Sequence, residues 1–550
     1  MIKIDIKKLS IFGILSSLFG VISIYWQTVF YGRLPGDLLD ARFTVIVNEH
    51  WFKVATGQNN VANLNFYYPT QNQLGFSDAF FASGIIAIPF RFAGIDPVNS
   101  WIIANLLLAL LCLIFAYQLF EDIFKSKLSA SIMVVLSAVS YPFLAQIGHA
   151  QTIGYLLLFP IMFFTRKLYL SSERGHFKNL CILMILIEIL ALSAWYAFVF
   201  LTLLLISSAL IGVFLLTPMI FWSRLKLFLG STINDLRKTT LPLKLVGVVS
   251  VLPLLFLWIY IYLQTAKYSS DKPYSGFIFY APRWGDLFNS STHAWGHQLK
   301  MNEYLHQTSG PTFERALGLT PIFALVLVLI PLVIRLKSLK QSTSHKFQTK
   351  LIYIVSVLFM LVIVVDELGH SFWRFLWITF PPIRSITVPF RIMIVISWLL
   401  IYVILIQIQS FKRKTLLTLV ISSLLLIDFW RPTMARWDSN EFIRDEAIPI
   451  VSALKNNSCD AFFINPAKGD PAPWLTQVDA MALGMVSNIP TVNGYSGNWP
   501  NGWPITPYWG GATPESVTTW IRENSSKSNL RFCYFNGTKE PHKPDIIVVK

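Results

Sequence analysis

Charged side chains that could catalyse a reaction are concentrated in one short stretch, YGRLPGDLLDARFTVIVNEHWFK, directly after the first apolar run of the chain. The stretch contains Asp37, Asp40, Arg42, Glu49 and His50, although charged residues make up only 13% of the sequence. A carboxylate next to an arginine at the edge of a membrane has the placement expected of a general base. These five residues are therefore candidates for catalysis or substrate binding.

Helical spacing gives the same stretch a second interpretation. If residues 38–52 form a helix, Arg42 and Glu49 lie on one face, while Ala41, Val45 and Phe52 form an apolar side suited to the membrane interface. The charged groups would then make local ion pairs on a solvated helix. Both interpretations stay open at this point.

Three further positions add candidates. Asp78 lies among aromatic residues in NFYYPTQNQLGFSDAF, and the apolar run after it is short and Pro-interrupted, which predicts a re-entrant or interfacial helix. His149 and Gln151 in IGHAQTIGYLLLFP lie where two apolar runs meet, so they are functional candidates or hydrogen-bonding links between helices. Glu188 stands alone in an apolar run, where we expect a structural contact across the helix bundle.

Arginines mark a later polar segment, DELGHSFWRFLWITFPPIRSITVPFR. Arg384 and Arg391 could hold the phosphate of a lipid-linked substrate through charge-assisted hydrogen bonds, or they could pair structurally with Asp37, Asp40 and Asp78. The earlier segment FYAPRWGDLFNSSTHAWGHQ combines aromatic rings with histidines, which suits either sugar binding or a membrane-interface belt. No HExxH spacing supports a metal site and no Walker-type motif supports a built-in ATPase, so we expect no metal and no cofactor.

The elements that position these residues are membrane helices. A chain of 550 residues with 54% hydrophobic and 15% aromatic residues does not have a soluble composition. Its apolar runs of about 17 to 25 residues predict about eleven crossings, that is, a polytopic α-helical membrane protein with about 11–13 transmembrane helices. The first run is expected to be a spanning helix rather than a cleaved signal peptide. The predicted runs cover residues 10–30, 98–120, 128–146, 152–165, 179–195, 197–218, 243–264, 318–335, 351–365, 389–410 and 415–430.

The distribution of charge predicts the orientation. With a cytoplasmic N-terminus, the inner connections carry about 22 lysines and arginines against about five acids, which accounts for the net charge of +16. The basic balance therefore indicates topology, and we expect no nucleic-acid partner. The domain prediction is a membrane domain over residues 1–430, with outer loops at 31–99, 265–317 and 366–389. It is followed by a C-terminal extracytoplasmic α/β domain over residues 431–550. The composition favours a bacterial inner membrane.

Two of the four cysteines, Cys459 and Cys533, lie in the tail that follows the last apolar run. An oxidising outer compartment would permit a disulfide between them, and the alternative is two free buried thiols. The segments AFFIN and DIIVV in the same tail are strand candidates.

Taken in order, GDLLDARFTVIVNEHW, FYYPTQNQLGFSD, GHAQ and FPPIRSITVPFR resemble bacterial members of the GT-C superfamily of membrane glycosyltransferases. The likeness covers roughly residues 10–410, and the tail with PTVNGYSGNWPNGW looks like the outer domain of some relatives. Enzymes of this class use polyprenyl-phosphate-linked sugars as donors.

The resemblance implies an inverting transfer to a cell-envelope glycan such as lipopolysaccharide, to a glycolipid or to a protein on the outer face of the membrane. A first-loop carboxylate would deprotonate the acceptor hydroxyl, which attacks the anomeric carbon and displaces the lipid phosphate. Asp40 best fits that base and Asp37 comes next, while Asp78 would orient the acceptor or assist the base. The class requires no metal when the donor is a lipid-linked monosaccharide.

Two other classes of function remain alternatives. A transporter or flippase of a lipid-linked saccharide should carry polar residues within its spans. A non-enzymatic envelope assembly protein should function without Asp37 and Asp40.

Overall fold

The computed structural model describes most of the membrane region and of the tail. The described residues are 10–170, 175–215, 218–269, 272–283, 323, 325, 329, 343–366, 368–409, 411–429, 442–467, 469–505, 511–537 and 543–550. Residues 284–298 of the aromatic and histidine segment FYAPRWGDLFNSSTHAWGHQ and most of the predicted crossing at 318–335 lie outside these residues.

Helices account for most of the described residues of the membrane region. They are α1 Ile11–Tyr31, α2 Leu38–Ala55, α3 Phe81–Phe92, α4 Pro97–Phe124, α5 Lys127–Val139, α6 Tyr141–Gln146, α7 Leu158–Leu170, α8 His176–Ser193, α9 Trp195–Leu215, α10 Pro218–Lys238, α11 Leu241–Ala266, α12 Tyr274–Tyr280, α13 Thr343–Ile363, α14 Phe372–Thr379, α15 Ile392–Ile408 and α16 Lys414–Phe429. Short 3-10 helices cover Gln73–Phe76, Ala150–Leu157, Pro381–Ser385 and Pro389–Arg391.

Six helices in the described part of the chain are long and apolar enough to cross a membrane, as expected of a helical membrane protein. They cover Ile11–Tyr31, Pro97–Phe124, Lys127–Gln146, His176–Ser193, Lys244–Ala266 and Pro389–Ile408. Shorter apolar helices cover Phe81–Phe92, Trp195–Ile211 and Leu351–Ile363. The first of them is short and contains Pro89, as predicted, and its re-entrant or interfacial placement stays a prediction. The predicted count of about eleven remains a prediction.

The helix α2 differs from its predicted environment. Asp37 caps its first turn by accepting hydrogen bonds from the backbone N–H groups of Leu39 and Asp40, at 3.0 and 2.7 Å. Every residue from Asp40 to Trp51 is buried, because α2 packs against α3, α4 and a helix of the tail. The interpretation of this stretch as a solvated helix is therefore wrong.

The tail forms a small α/β unit, as predicted. Its strands are β1 Ala461–Asn465, β2 Leu530–Asn536 and β3 Asp545–Val549, and its helices are α17 Ile448–Asn456, α18 Pro473–Ser487 and α19 Pro514–Asn524. The strand order is β1-β2-β3, with β1 and β2 parallel and β2 and β3 antiparallel. A disulfide joins Cys459 to Cys533 on β2, so this pairing is confirmed.

The tail is also joined to the first loop, the segment between α1 and α4. Residues 490–493 lie between β1 and that loop: the N–H of Val492 donates to the carbonyl of Phe462, and the N–H of Tyr67 donates to the carbonyl of Asn493. Met481 and Met485 of α18 belong to the same hydrophobic core as aromatic residues of the first loop. The first loop and the tail thus form one packed structure.

Candidate active site

Asp40, in the first turn of α2, is held by two side chains from distant parts of the chain. Nδ1 of His149 lies 2.7 Å from Asp40 Oδ2, and because an ionised carboxylate only accepts, the histidine is the donor. The hydroxyl of Tyr495, from the tail, donates to Asp40 Oδ1 at 2.7 Å. A hydrogen bond to each of its two oxygens therefore fixes the orientation of the Asp40 carboxylate.

A close backbone approach brings His149 to this position. The N–H of Asp37 donates to the carbonyl of Gly148 at 2.7 Å. Gly36 has a φ of +124°, and a Cβ there would lie 2.9 Å from the carbonyl oxygen of Gly148. Only glycine fits this conformation without strain, so Gly36 lets the turn before α2 meet the turn that carries His149.

The two carboxylates at this end of α2 differ in their affinity for a proton. Burial, together with the nearby charge of Asp40, raises the pKa of Asp37 to about 7. Burial also acts to raise the pKa of Asp40, but the hydrogen bond and charge of His149, the Tyr495 hydroxyl and the charge of Arg391 outweigh it and lower that pKa. A proton shared by the pair therefore resides on Asp37, and Asp40 is ionised at neutral pH.

Arg391, just before α15, lies beside Asp40 within a set of polar side chains. Its Nε donates to Gln146 Oε1 at 3.1 Å, and its Cζ lies 5.4 Å from the ring centre of Tyr196. Gln151 links Arg391 to the carboxylate: in the amide orientation that its neighbours require, it accepts from Arg391 Nη1 at 3.2 Å and donates to Asp40 Oδ2 at 3.3 Å. His149, Gln151 and Arg391, all singled out in the sequence, thus meet at Asp40.

Asp78 lies in the same electrostatic neighbourhood. It accepts from the backbone N–H of Trp195 at 2.5 Å, which satisfies the N-terminus of α9. Burial raises the pKa of Asp78 to about 6, and the nearby charges of Arg391 and Lys272 counteract that rise. The charge of Arg391 therefore acts on two carboxylates, those of Asp40 and Asp78.

The segment before Arg391 is anchored to the start of α9. Trp195 Nε1 donates to the Ser385 hydroxyl at 2.5 Å, and the Tyr196 hydroxyl lies 2.8 Å from that of Thr387. The serine and threonine of the FPPIRSITVPFR motif are thus used to fix the approach to Arg391.

Arg42 does not join this cluster. Its buried guanidinium pairs with Asp479 of α18, which also pairs with Arg444. The contact joins α2 to the tail, so the position gives Arg42 a structural role rather than the predicted substrate-binding one.

Glu49 and His50 also have structural partners. Glu49 accepts two hydrogen bonds from the guanidinium of Arg91, at 2.6 and 3.0 Å. Nε2 of His50 lies 3.0 Å from the carbonyl of Val61, and Nδ1 lies 3.3 Å from the side-chain amide of Asn59. Burial lowers the pKa of His50 to about 4, so this histidine is neutral at physiological pH.

Arg384 lies apart as well, since its Nε donates to the carbonyl of Trp377 at 3.1 Å. Of the two arginines proposed for phosphate binding, Arg391 alone contacts the network around Asp40 in the described part of the chain.

Two buried donors near Arg391 have hydrogen-bonding capacity left. Within the described residues, Gln146 Nε2 and the hydroxyl of Tyr155 have no hydrogen-bond partner. Buried polar groups are rarely left in this state unless they serve a ligand, a water or a catalytic step. The surroundings of Arg391 are therefore richer in donors than the local structure requires.

The carboxylate cluster could also hold a cation. Ligand atoms of Asp37, Asp40 and His149 lie within 4.8 Å of one another. Aspartate and histidine are common metal ligands, so the expectation of a metal-free site stays a prediction.

Tyr495 and Gln146 were not selected from the sequence. Tyr495 is 455 residues from Asp40, and no local spacing relates the two. The only signal was the Gly- and Asn-rich motif NGYSGNWPNGW, whose composition indicates an irregular, specifically folded loop.

No protein-family model matches this chain, and no curated protein matches its sequence.

Proposed function

We propose that this protein is an inverting glycosyltransferase that takes a sugar from a polyprenyl-phosphate donor. The observation that carries the proposal is the ionised carboxylate of Asp40, held by His149 and Tyr495 at one end of a membrane helix bundle and lying beside Arg391. A fixed base next to a fixed cation suits a reaction that removes a proton from one reactant and releases a phosphate from the other.

In this reaction Asp40 accepts the proton of the acceptor hydroxyl. The oxygen attacks the anomeric carbon of the donor sugar, a new C–O bond forms, and the bond to the lipid phosphate breaks with its electron pair on the phosphate oxygen. Arg391 stabilises that developing charge. Asp78 orients the acceptor. Because attack occurs opposite the leaving group, the anomeric configuration inverts.

The proposed setting is the outer face of a bacterial inner membrane. The excess of lysine and arginine in the predicted inner connections favours an outer location for the first loop and the tail. The disulfide between Cys459 and Cys533 supports the same assignment, since structural disulfides persist in oxidising compartments. The acceptor would be an envelope glycan, a glycolipid or a protein.

The test is sugar transfer by purified protein in lipid nanodiscs. Radiolabelled sugar would be followed from a panel of polyprenyl-phosphate monosaccharides to a crude envelope acceptor fraction. The native protein should transfer label from at least one donor, and Asp40→Asn should not. Asp460→Asn is the control, because Asp460 is an aspartate of the tail that is hydrogen-bonded to Lys527, with no contact to the site. Equal transfer by the native protein and Asp40→Asn would refute the proposed base.

A second candidate function, transport of a lipid-linked saccharide, has one observation in its favour. Glu188 is buried within the candidate span α8, and its carboxylate oxygens have no partner among the described residues. The expected structural contact across the bundle is therefore not found in that part of the chain. An intramembrane carboxylate of this kind often marks an ion or substrate path. Loss of saccharide translocation in Glu188→Gln vesicles, with Asp40→Asn vesicles unaffected, would favour the transporter.

A further inference from the structure

The loop that carries Tyr495 is held rigidly before it reaches Asp40. The side chain of Asn493 makes four hydrogen bonds: its oxygen accepts from the N–H of Ile464 and from the Thr491 hydroxyl, and its amide donates to the carbonyl of Ile464 and to Gln477. All of these contacts are buried, with distances of 2.8 to 2.9 Å. The backbone on the N-terminal side of Tyr495 is therefore fixed to β1 and α18.

A close contact fixes Gly494, the residue between Asn493 and Tyr495. A Cβ at Gly494 would lie 2.0 Å from the ring of Tyr67 in the first loop. The two segments therefore approach each other more closely than any side chain at position 494 would allow.

The backbone and the ring of Tyr495 itself both make further contacts. Its N–H donates to the sulfur of Met481 at 3.0 Å, and its ring meets Phe43 of α2 edge-on, with centroids 6.0 Å apart. These contacts place the Tyr495 hydroxyl 2.7 Å from Asp40 Oδ1, to which it donates a hydrogen bond. Such a short hydrogen bond to an ionised carboxylate belongs to the stronger class of protein hydrogen bonds.

We propose that Tyr495 is a positioning residue for Asp40, so that the tail and the membrane domain together set the state of the reacting carboxylate. This inference rests on the proposed function for its catalytic meaning, but the contact itself can be tested without turnover. Tyr495 holds Asp40 Oδ1 by a hydrogen bond, and His149 holds Oδ2 in the same way. The carboxylate therefore has one orientation relative to Arg391.

The groups that face Asp40 come from several elements. They are Asp37 in the turn before α2, His149 between α6 and α7, Arg391 before α15, Asp78 in the first loop, and Tyr495. Of these, His149, Arg391 and Tyr495 favour the ionised form of Asp40, whereas Asp37 and Asp78 oppose it when they are charged. Removal of the Tyr495 hydroxyl should therefore raise the pH at which Asp40 takes up a proton.

The experiment compares Tyr495→Phe with Tyr534→Phe in full-length protein. Tyr534 is a matched control, because its buried hydroxyl also makes one 2.7 Å hydrogen bond, to the carbonyl of Ala512 within the tail. Infrared spectra of protein labelled with ¹³C-aspartate would be titrated from pH 3 to 8, and the Asp40 band would be assigned by subtracting the spectrum of Asp40→Asn. This readout needs neither donor nor acceptor.

Tyr495→Phe should move the midpoint of the Asp40 band upward by about one pH unit, as expected for the loss of a hydrogen bond to a charged group. Tyr534→Phe should leave it in place, even if both variants lower the unfolding temperature. In the transfer assay, Tyr495→Phe should lower kcat about tenfold at an unchanged KM. An unmoved Asp40 band in Tyr495→Phe would overturn the inference. Absent transfer by native protein with a moved band would instead count against the proposed function alone.

Discussion

The two ends of α2 contain similar residues and have different environments. Asp37 and Asp40 lie at its N-terminal end, and Glu49, His50 and Lys53 lie near its C-terminal end. At the C-terminal end Glu49 pairs with Arg91 and His50 binds the loop directly after α2. Lys53 binds the carbonyl of Met485 and the side chain of Asn488 at the end of α18.

At the N-terminal end the groups are not matched one to one. The charge of His149 acts on both carboxylates and that of Arg391 acts on Asp40, and these partners come from separate segments of the chain. The difference teaches that density of charge along a sequence does not identify a reactive site. A reactive site has groups whose protonation is set by competition among several neighbours.

The most direct test of the difference between the two ends of α2 is to neutralise one carboxylate at each end. Asp40→Asn should lower kcat for sugar transfer by about 10²- to 10⁴-fold, the range typical of a general base. Glu49→Gln should leave kcat near the native value and destabilise the fold by about 1–3 kcal/mol, because Arg91 loses its charged acceptor. Transfer assays and reversible unfolding in mixed micelles measure the two effects. A large kcat loss in Glu49→Gln would erase the distinction between the two ends.

The middle of α2 provides a test of stability. Arg42→Ala leaves the buried carboxylate of Asp479 with Arg444 as its remaining salt-bridge partner in the described residues. We expect a loss of about 3 kcal/mol in the free energy of unfolding, at the low end of the range for a broken buried ion pair. Arg444→Ala should cost less, because the Arg444 side chain is partly exposed. Equal losses in the two variants would contradict a larger contribution of Arg42 than of Arg444 to the binding of Asp479.

Asp37, at the N-terminal end of α2, should make the stability of the fold decrease as pH rises. The pKa of Asp37 is raised to about 7 in the folded protein, so between about pH 4 and 7 the folded state holds a proton that the unfolded state releases. The free energy of unfolding should therefore decrease across this window. In Asp37→Asn that decrease should become smaller, which chemical unfolding at several pH values would reveal.

His50, near the C-terminal end of α2, should make the free energy of unfolding change with pH in the opposite direction. The pKa of His50 is lowered to about 4 in the folded protein, so between about pH 6.5 and 4 the unfolded state binds a proton that the folded state excludes. Stability should be lost as pH falls through this window. In His50→Gln the loss of stability between these pH values should be smaller. If this variant loses stability with falling pH as steeply as the native protein does, His50 titrates normally in the folded state.

Chelation should have the smallest effect. If the hydrogen bond from His149 to Asp40 is the working arrangement, EDTA should not change the rate of sugar transfer. A loss of transfer that is restored by a divalent cation would instead show that Asp37, Asp40 and His149 act as metal ligands.

Much of the fold could be predicted from the sequence, because long apolar runs leave few alternatives to membrane helices. The predicted run at residues 98–120 corresponds to Pro97–Phe124, and that at 389–410 to Pro389–Ile408. The helix Pro218–Lys238 was not foreseen, because its basic residues were attributed to a connection between spans.

The site could be predicted only in part. Asp40, His149 and Arg391 were found because polar residues at the ends of apolar runs are conspicuous. Arg42 and Glu49 were selected for the same reason, but the sequence did not reveal that Asp479 and Arg91 would pair with them. Tyr495 was missed because its contact depends on the docking of the tail, which no pattern in either segment encodes.

The hydrogen-bonded junction between the first loop and the tail has a consequence for biosynthesis. Asp40 emerges from the ribosome 455 residues before Tyr495, a delay of roughly 20 to 90 s at ordinary rates of translation. During that interval α2 lacks Asp479, Met481 and Tyr495, so the side chains of α2 that contact the tail are uncovered. Only a completed chain whose tail has docked assembles the Asp40 site, and truncated products should be inactive and recognisable to membrane proteases.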